Sequence, residues 1–391
     1  MRKKTDKQEK TDLIAGLFAL VLIVVIWFLG SLQAEQDLLP LISDAAGDST
    51  SISNIDNGIW LAEYDDDAGE FLIIGTGTGE GYGGDLKAFT LSGPDGKIKR
   101  IVIYNHRETE TFLKKVMRKN LLSQFTGKRV NSVFRPGEDI NVISGATLTS
   151  NAIAEAVRSS SHNISNTYFK LDLPPYPEIK LHPGLKEYSW FFLLAIAYIT
   201  SSLRVKRQRE LRWAVMLVSI VFLGFWLNAQ LSISQVNKVI LGYWPDWHMQ
   251  LYLYIMLIGI LALILFTGKN HYCDRVCPFG TSQDILGRIT GAKTRNFGKF
   301  RRPLIWLQRL LALGVIITAL ITRKPGTANY EVFGTMFRLT GNSLQFGLLF
   351  LTAILSLFIK RPWCGYLCPV RPVNDYVRAY RNYLAGILKN S

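Results

Sequence analysis

Two short patterns in the sequence carry side chains that could do chemistry. The first is a hydroxyl-rich turn, Ser144-Gly145-Ala146-Thr147-Leu148-Thr149-Ser150, which precedes a stretch with helical spacing of apolar residues. A helix N-terminus presents unpaired N–H groups and the positive end of the helix dipole, so it can hold a phosphate. The turn is therefore either a phosphate site, with one threonine hydroxyl esterified, or a helix start capped by Ser or Thr.

The second pattern contains all 4 cysteines of the chain, in two copies of Cys-x3-Cys-Pro. In a helix, residues four apart share a face, so each pair of thiolates can point at one ligand before the proline ends the turn. Four thiolates suit an iron–sulfur cluster or zinc, although Cys-x2-Cys is the commoner spacing for both. Structural or free cysteines are the alternative. The candidate metal ligands are Cys273, Cys277, Cys364 and Cys368.

The elements around these patterns are strongly apolar and basic. Hydrophobic residues make up 48% of the 391-residue chain, and the net charge is +15. The basic residues form short clusters beside apolar runs, which is the pattern of the positive-inside rule rather than of a nucleic-acid surface. We therefore expect a membrane protein with no nucleic-acid partner.

Six apolar runs approach the roughly 20 residues that a helix needs to cross a bilayer. They cover residues 13–32, 188–203, 213–231, 249–267, 303–322 and 344–359. We predict an α-helical membrane bundle of about six transmembrane helices with an inserted extracytoplasmic α+β domain. The first run is too long for a signal peptide, so we expect an uncleaved anchor. With six spans the basic segments all fall on the cytoplasmic side, close to both cysteine pairs.

The predicted domains follow from these spans. Residues 1–32 form a cytoplasmic tail and the first transmembrane helix, residues 33–180 the extracytoplasmic domain, and residues 181–391 a five-helix membrane domain. Within the second domain, Leu72–Gly75 and Lys97–Tyr104 are predicted strands, and Ser92–Lys97 has turn chemistry. The segment Tyr243–Trp247 is predicted as an interfacial aromatic belt, or alternatively as a quinone-headgroup site.

The hydroxyl-rich turn resembles the flavinylation motif of the FMN-binding domain in sodium-translocating NADH:quinone reductase and Rnf-type subunits. In that family a separate flavin transferase joins FMN through its phosphate to a threonine that corresponds to Thr147, with Thr149 as the second choice. Gly79–Gly84 resembles the family's glycine-rich segment, and His106–Thr109 resembles a loop near the flavin. Asn141 and Glu110-Thr111 depart from the family pattern. The resemblance implies a flavin site formed by Ser144, Gly145, Ala146, Thr147, Thr149, Tyr82, Gly83, His106, Glu108 and Thr109.

The apolar runs and the two Cys-x3-Cys-Pro motifs together resemble the NosR-type family of polytopic membrane flavoproteins linked to nitrous oxide reductase. Many members add a C-terminal domain with two ferredoxin-type clusters. This chain ends at Ser391, so we expect it to be most similar to the shorter relatives. The resemblance implies iron–sulfur binding at the cysteines and a location in the bacterial cytoplasmic membrane, with the FMN domain on the periplasmic side.

These expectations combine into a membrane-bound electron-transfer flavoprotein with FMN joined to Thr147. It would pass electrons between the quinone pool, or a cytoplasmic-side centre, and an extracytoplasmic acceptor, as a component of quinol-linked oxidoreduction. Because roughly 30 Å of hydrocarbon separates the membrane faces, a quinone or an inward fold must bridge the centres. The alternatives are a redox-sensing regulator, an assembly factor for a respiratory reductase, and a structural anchor with vestigial cysteines.

Overall fold

The fold is that of a computed structural model of the 391-residue chain. The structure describes residues 2–32, 37–47, 51–56, 58–64, 70–175, 183–202, 207–292 and 298–390. The predicted domain boundaries at 32/33 and 180/181 adjoin or lie within ranges outside the described residues. Below, residues 37–175 are called the sheet domain and residues 183–390 the helical part.

The sheet domain is built on five antiparallel strands, each hydrogen-bonded to the next strand in the chain. The strands are β1 (Ser51–Asp56), β2 (Ile59–Glu63), β3 (Phe71–Glu80), β4 (Asp85–Ser92) and β5 (Ile98–His106). The two predicted strands are confirmed as the start of β3 and most of β5, and the predicted turn joins β4 to β5. Strand β4 was not among the strands predicted from the sequence.

Fourteen α-helices lie within the described residues. They are α1 (Arg2–Leu32), α2 (Leu38–Ala46), α3 (Glu110–Arg118), α4 (Thr147–Ile164), α5 (Leu185–Ser202), α6 (Gln208–Ser219), α7 (Ile233–Ile240), α8 (Leu251–Thr267), α9 (Pro278–Ile289), α10 (Arg301–Thr322), α11 (Phe333–Arg338), α12 (Ser343–Phe358), α13 (Pro362–Tyr366) and α14 (Val370–Asn390). Three π-helical segments, Ser165–Phe169, Ile220–Trp226 and Tyr272–Val276, and two 3₁₀ turns, Leu121–Gln124 and Gly298–Phe300, complete the helical structure.

The sheet is covered on both faces because its strands alternate between two apolar clusters. Ile73 packs in the cluster that contains Ile153 and Val157 of α4, whereas its neighbour Ile74 packs with Ile42 of α2. Successive strand residues point to opposite faces, so this alternation gives three layers, α2, sheet and α4. The layer formed by α4 carries the hydroxyl-rich turn at its start.

Helix α4 approaches β3 closely because glycines alternate along that strand. A Cβ atom on Gly77 would lie 2.0 Å from the carbonyl oxygen of Ala156, and one on Gly79 would lie 1.9 Å from that of Ala152. No side chain fits at Gly77 or Gly79. Helix α4 can therefore pack this close to β3 only because these residues have no Cβ atom. The glycines of β3 therefore determine where the N-terminus of α4 is placed.

The predicted bundle of six transmembrane helices is wrong. Among the described residues only two helices, Leu13–Leu32 and Arg301–Thr322, are long and apolar enough to cross a membrane. Helices α8 and α12 have only 17 and 16 residues, and α6 passes into a π-helical segment after Ser219. Apolar runs also mark helices that are buried in protein. Met256 of α8, for example, is fully buried in the helical part.

We predict that Gly77→Ala destabilises the sheet domain by about 3 kcal/mol, because the added methyl group must push α4 off the sheet. Thermal unfolding of the full chain measures this effect. Gly347→Ala is the matched control, because Gly347 lies in α12 with open space around its Cβ position. Equal unfolding temperatures for the two variants would contradict the close packing of α4.

Candidate flavin and cysteine sites

The hydroxyl-rich turn ends in a helix start that no side chain caps. Ala146 is the N-cap residue of α4, and no side-chain hydrogen bond is made there. Gly145 has φ of +76°, a conformation that glycine adopts without strain. The alternative of a Ser- or Thr-capped helix is therefore wrong. Uncapped N–H groups at the helix start are free to bind an anion instead.

The two threonines of the turn differ in exposure. Thr147 is the first residue of α4 and is exposed to solvent. Thr149 is 1% exposed, and its Oγ1 donates a hydrogen bond of 2.8 Å to Glu108 Oε2. Thr147 is therefore the hydroxyl that an external enzyme and a nucleotide can reach, while Thr149 holds the turn in place.

Two basic side chains approach the turn from different parts of the chain. A Cβ atom on Gly145 would lie 2.7 Å from Lys115 Nζ and 3.7 Å from Arg338 Nη1. Lys115 belongs to α3 of the sheet domain, whereas Arg338 ends α11 of the helical part. No ion pair within the described residues neutralises either group. Their charges add to the positive end of the α4 dipole and favour a phosphate at the turn.

Glu108 ties the turn to the glycine-rich segment. Its carboxylate is 3% exposed and accepts hydrogen bonds from Thr149 and, at 3.4 Å, from the N–H of Gly83. Burial raises the pKa of Glu108, while the bonds from Thr149 and Gly83 and the charge of Lys238 oppose this shift. Three residues predicted from the resemblance, Gly83, Glu108 and Thr149, are thus brought together.

His106 and Thr109, predicted as flavin-site residues, lie on the side of the loop that faces the helical part. A Cβ atom on Gly326 would lie 2.6 Å from Thr109 Oγ1. Burial lowers the pKa of His106, and the charge of Lys324 lowers it further. A hydrogen bond with the backbone of Glu108 opposes this shift. Thr109 Oγ1 is buried and has no hydrogen-bond partner among the described residues.

The helical part docks onto the sheet domain through one buried ion pair. Lys238 of α7 is 2% exposed, and its Nζ donates to the carbonyl of Gly81 at 3.0 Å and pairs with Glu80 Oε1 at 3.5 Å. Glu80 Oε1 also accepts from Gln250 at 3.2 Å, and Glu80 Oε2 accepts from the N–H of Asp246 at 2.8 Å. The ion pair between Lys238 and Glu80 was not predicted from the sequence.

The segment Tyr243–Trp247, predicted as an aromatic belt, also takes part in the docking. The Arg107 guanidinium lies 3.7 Å from the centre of the Tyr243 ring. Beside this contact is a cavity of about 580 Å³. Its lining comes from both parts of the chain and includes Glu80, Gly84, Leu148, Asn151, Lys238, Tyr243, Trp244 and Met249. Leu148 directly follows Thr147, so a group attached to the turn can reach this space.

The four cysteines line a second, enclosed cavity in the helical part. Cys273 lies in the π-helical segment Tyr272–Val276, and Cys277 is the N-cap of α9. Cys364 lies in α13, and Cys368 precedes α14. The prolines of the two motifs begin or precede the next helix, so each motif is a break between helices. Among the described residues, no group of three or more His, Cys, Asp or Glu side chains forms a single-ion site.

Polar groups surround the cysteines as they would a cluster of thiolates. Gln283 donates to Cys364 Sγ at 3.2 Å. Arg361 donates to the carbonyl oxygen of Cys273 at 2.8 Å, and Arg371 donates to that of Cys364 at 3.1 Å. Hydrogen bonds and positive charge stabilise the anionic sulfurs of an iron–sulfur cluster. These donors and arginines fit the anionic sulfurs of an iron–sulfur cluster.

Burial shifts the thiols toward their protonated form. The pKa of Cys277 is raised to about 11, and burial also raises the pKa of Cys273 and Cys364. Buried thiolates therefore need metal ions bonded to the sulfurs, because metal binding releases the thiol protons. The donor set and its surroundings fit an iron–sulfur cluster held by these four residues.

The cavity of the cysteines lies close to the docked sheet domain. Leu231 lines this cavity, and the next residue, Ser232, has its Oγ 3.4 Å from Tyr82 Oη. The glycine-rich segment and the cysteines are therefore separated by one short stretch of chain. Of the two expected ways to bridge the membrane thickness, a quinone or an inward fold, this arrangement corresponds to the inward fold.

Comparison with protein families agrees with both sites. Residues 81–161 match the FMN-binding domain family, a range that contains every predicted flavin-site residue. Residues 249–302 and 345–384 match a 4Fe-4S binding domain, and each segment contains one cysteine pair. The chain therefore combines an FMN-binding domain with a 4Fe-4S binding domain, and its cofactors are FMN and an iron–sulfur cluster. No solved structure gives a significant match.

Three curated proteins are similar to part of the chain. Regulatory protein NosR of Pseudomonas aeruginosa is 27% identical over 195 residues, which is 46% of this chain and 27% of that protein. Protein NirI of Paracoccus denitrificans is 25% identical, over 49% of this chain and 31% of that protein. Regulatory protein NosR of Stutzerimonas stutzeri is 23% identical, over 41% of this chain and 24% of that protein. Together with the two domain matches, these similarities support a NosR-type flavoprotein. The matched segments span about a third or less of the relatives' lengths.

We predict that the stability advantage of wild type over Glu108→Gln shrinks as the pH rises above about 4.5, the ordinary pKa of Glu. The raised folded-state pKa stabilises the fold only while Glu108 is protonated, and this stabilisation is lost as the pH rises through that pKa. Unfolding temperatures of both full-length proteins across a pH series measure the difference. A difference that does not change with pH would contradict the buried, proton-retaining carboxyl group.

Proposed function

We propose that the chain carries FMN covalently, as a phosphoester of Thr147 made by a separate flavin transferase. Three observations support this assignment: the exposed hydroxyl of Thr147, the uncapped start of α4, and the unpaired charges of Lys115 and Arg338. The 580 Å³ cavity beside Leu148 receives the flavin ring. There Asn151, Tyr243 and Trp244 would hold the ring, and the docked helical part would limit its contact with water.

The second proposed centre is an iron–sulfur cluster held by Cys273, Cys277, Cys364 and Cys368. Gln283 and Asn374 provide hydrogen-bond donors near the sulfurs, with N–S distances of 3.2 and 3.8 Å. Donors of this kind raise the reduction potential of a cluster because they stabilise added negative charge. The reduction potential of the cluster would therefore depend on the side-chain amides of Gln283 and Asn374 and on the charges of Arg361 and Arg371.

The function best supported is membrane-bound electron transfer between the cysteine centre and the flavin. The observation that carries it is the short stretch Leu231-Ser232. Leu231 lines the cysteine cavity, and Ser232 Oγ lies 3.4 Å from the hydroxyl of Tyr82, two residues before Gly84 of the proposed flavin cavity. A flavin exchanges electrons with one- and two-electron partners, so it can join a cluster to a quinone or to a reductase. In this proposal the donor is the quinone pool or a cytoplasmic-side centre, and the acceptor is extracytoplasmic.

The proposed location is the bacterial cytoplasmic membrane, with the sheet domain on the extracytoplasmic side. The helices Leu13–Leu32 and Arg301–Thr322 support membrane attachment by their length and composition. The basic residues before the first of these helices support a cytoplasmic N-terminus under the positive-inside rule. Reporter fusions after residue 47 and at residue 390 test this orientation.

A second candidate function is that of a redox-sensing regulator or an assembly factor for a respiratory reductase. The name "Regulatory protein" carried by two of the similar proteins favours it. The two functions differ in turnover. A carrier accepts electrons from quinol repeatedly and passes them on, whereas a sensor is reduced once and holds that state. Continuous reduction of an artificial acceptor by quinol and the purified chain would support the carrier.

We predict that Thr147→Ala abolishes covalent flavin when the chain is produced together with a flavin transferase, because the esterified oxygen is removed. In-gel flavin fluorescence after denaturation and the mass of the tryptic peptide that contains Gly145 measure the attachment. Thr149→Val is the control and should keep the flavin, since its hydroxyl is buried against Glu108. Loss of the flavin in the control, with Thr147→Ala unaffected, would move the attachment to Thr149.

We predict that Cys273→Ala and Cys364→Ala each lower the iron and sulfide content while covalent FMN is retained, because each variant removes one thiolate from the shared cavity. Ser282→Ala is the matched control, since Ser282 is buried in α9 and bonds only the carbonyl of Pro278. Iron and sulfide analysis of the purified proteins is the measurement. Full iron content in both cysteine variants would exclude a cluster at this cavity.

A further inference from the structure

A continuous set of contacts leads out of the cysteine cavity toward the sheet domain. Tyr272 and Leu231 both line the cavity. The N–H of Cys277 donates to the carbonyl of Tyr272 at 2.8 Å, and the hydroxyl of Tyr272 accepts a bond of 3.0 Å from the N–H of Leu231. Leu231 is 3% exposed and Tyr272 is 2% exposed, so water does not enter between them. The cysteine site is thereby hydrogen-bonded to the backbone of the segment before α7.

The next residue carries the contact across to the sheet domain. Ser232 is the N-cap of α7 and forms a reciprocal capping box with Gln235. The carboxylate of Glu331 accepts from the N–H of Ile233 at 3.0 Å, which fixes the same end of the helix. From this rigid position, Ser232 Oγ lies 3.4 Å from Tyr82 Oη.

Tyr82 belongs to the glycine-rich segment, and Gly84, two residues later, lines the cavity proposed for the flavin. The carbonyl of Gly81 accepts from Lys238, and the N–H of Gly83 donates to Glu108. The Tyr82 ring packs edge-on against Phe112, with ring centres 5.4 Å apart. Burial raises the pKa of Tyr82 to about 12, so its hydroxyl stays protonated and hydrogen-bonded near neutral pH.

We propose that Tyr272, Leu231, Ser232 and Tyr82 form the electron route between the cysteine centre and the flavin site. The route rests on the proposed function, because it requires both cofactors. Covalent bonds and hydrogen bonds give better electronic contact than an empty gap of the same length. Each electron that leaves the cysteine centre is the one gained on the flavin side, so the step needs no further reductant. Tyr82 and Ser232 are positioning residues in this route.

The docking ion pair is a separate contact and does not belong to the route. Lys238 and Glu80 join the same two parts of the chain but do not line the cysteine cavity. Tyr104 of β5 provides the matched control, because its ring stacks on that of Phe89 with centres 4.0 Å apart and it lines neither cavity. Tyr104→Phe therefore matches Tyr82→Phe in chemistry, and it leaves the route and the flavin cavity intact.

The test is flash photoreduction of the purified full-length chain, loaded with FMN and iron–sulfur cluster, with a soluble deazaflavin as photoreductant. The flavin absorbance change contains a phase whose rate does not depend on protein concentration. The rate of that phase is the rate of electron transfer within one chain. Tyr82→Phe and Ser232→Ala should each lower this rate, with cofactor content and both midpoint potentials unchanged. Ser232→Thr should restore the rate, because it returns the hydroxyl and the N-cap. Tyr104→Phe should match wild type.

Three results would count against the route. If Tyr82→Phe and Ser232→Ala transfer electrons as fast as Tyr104→Phe, electrons cross elsewhere, and the proposed function survives without this route. If loaded wild type shows no concentration-independent transfer at all, the route and the electron-transfer function both fail. A slow Ser232→Ala that Ser232→Thr does not rescue would contradict the role of the Ser232 hydroxyl, because threonine supplies both that hydroxyl and the N-cap.

Discussion

The buried ammonium group of Lys238 is the constraint on which the rest of the structure depends. A charge that is 2% exposed is tolerated only when it is paired and hydrogen-bonded, and both partners, Glu80 and the carbonyl of Gly81, belong to the sheet domain. Separation of the two parts would leave this charge without its partners. Removal of one partner of a buried pair typically costs about 3–5 kcal/mol. The glycine-rich segment is therefore held against the helical part, and the ion pair lines the proposed flavin cavity.

The position of the flavin turn follows from the same arrangement. The glycines of β3 set the height of α4 above the sheet, and Glu108 links the start of α4 back to Gly83, next to the docked segment. Docking also brings Arg338 of the helical part to the turn, opposite Lys115 of the sheet domain. A bound phosphate would neutralise these two cations, so cofactor attachment and domain docking stabilise each other.

The local features of this fold could be predicted from the sequence, and the long-range contacts could not. Strand alternation predicted β5, and the small hydroxyl residues predicted the start of α4, because both patterns reflect neighbouring residues. The missing N-cap was not visible, since Ala146 takes the position that nearby serines and threonines could have filled. The ion pair between Lys238 and Glu80 joins residues 158 positions apart and has no local signal. The number of membrane spans was overestimated, because apolar runs such as that of α8 form helices of only 17 residues or fewer.

The central claim is that one chain holds a flavin and an iron–sulfur cluster at two adjoining sites. The most direct measurement is the cofactor content of the wild-type chain, purified without oxygen from cells that contain a flavin transferase. The account predicts one covalent FMN together with the four iron and four sulfide of a 4Fe-4S cluster in each chain. A chain that carries its flavin but contains no iron, or contains iron but no flavin, would contradict it.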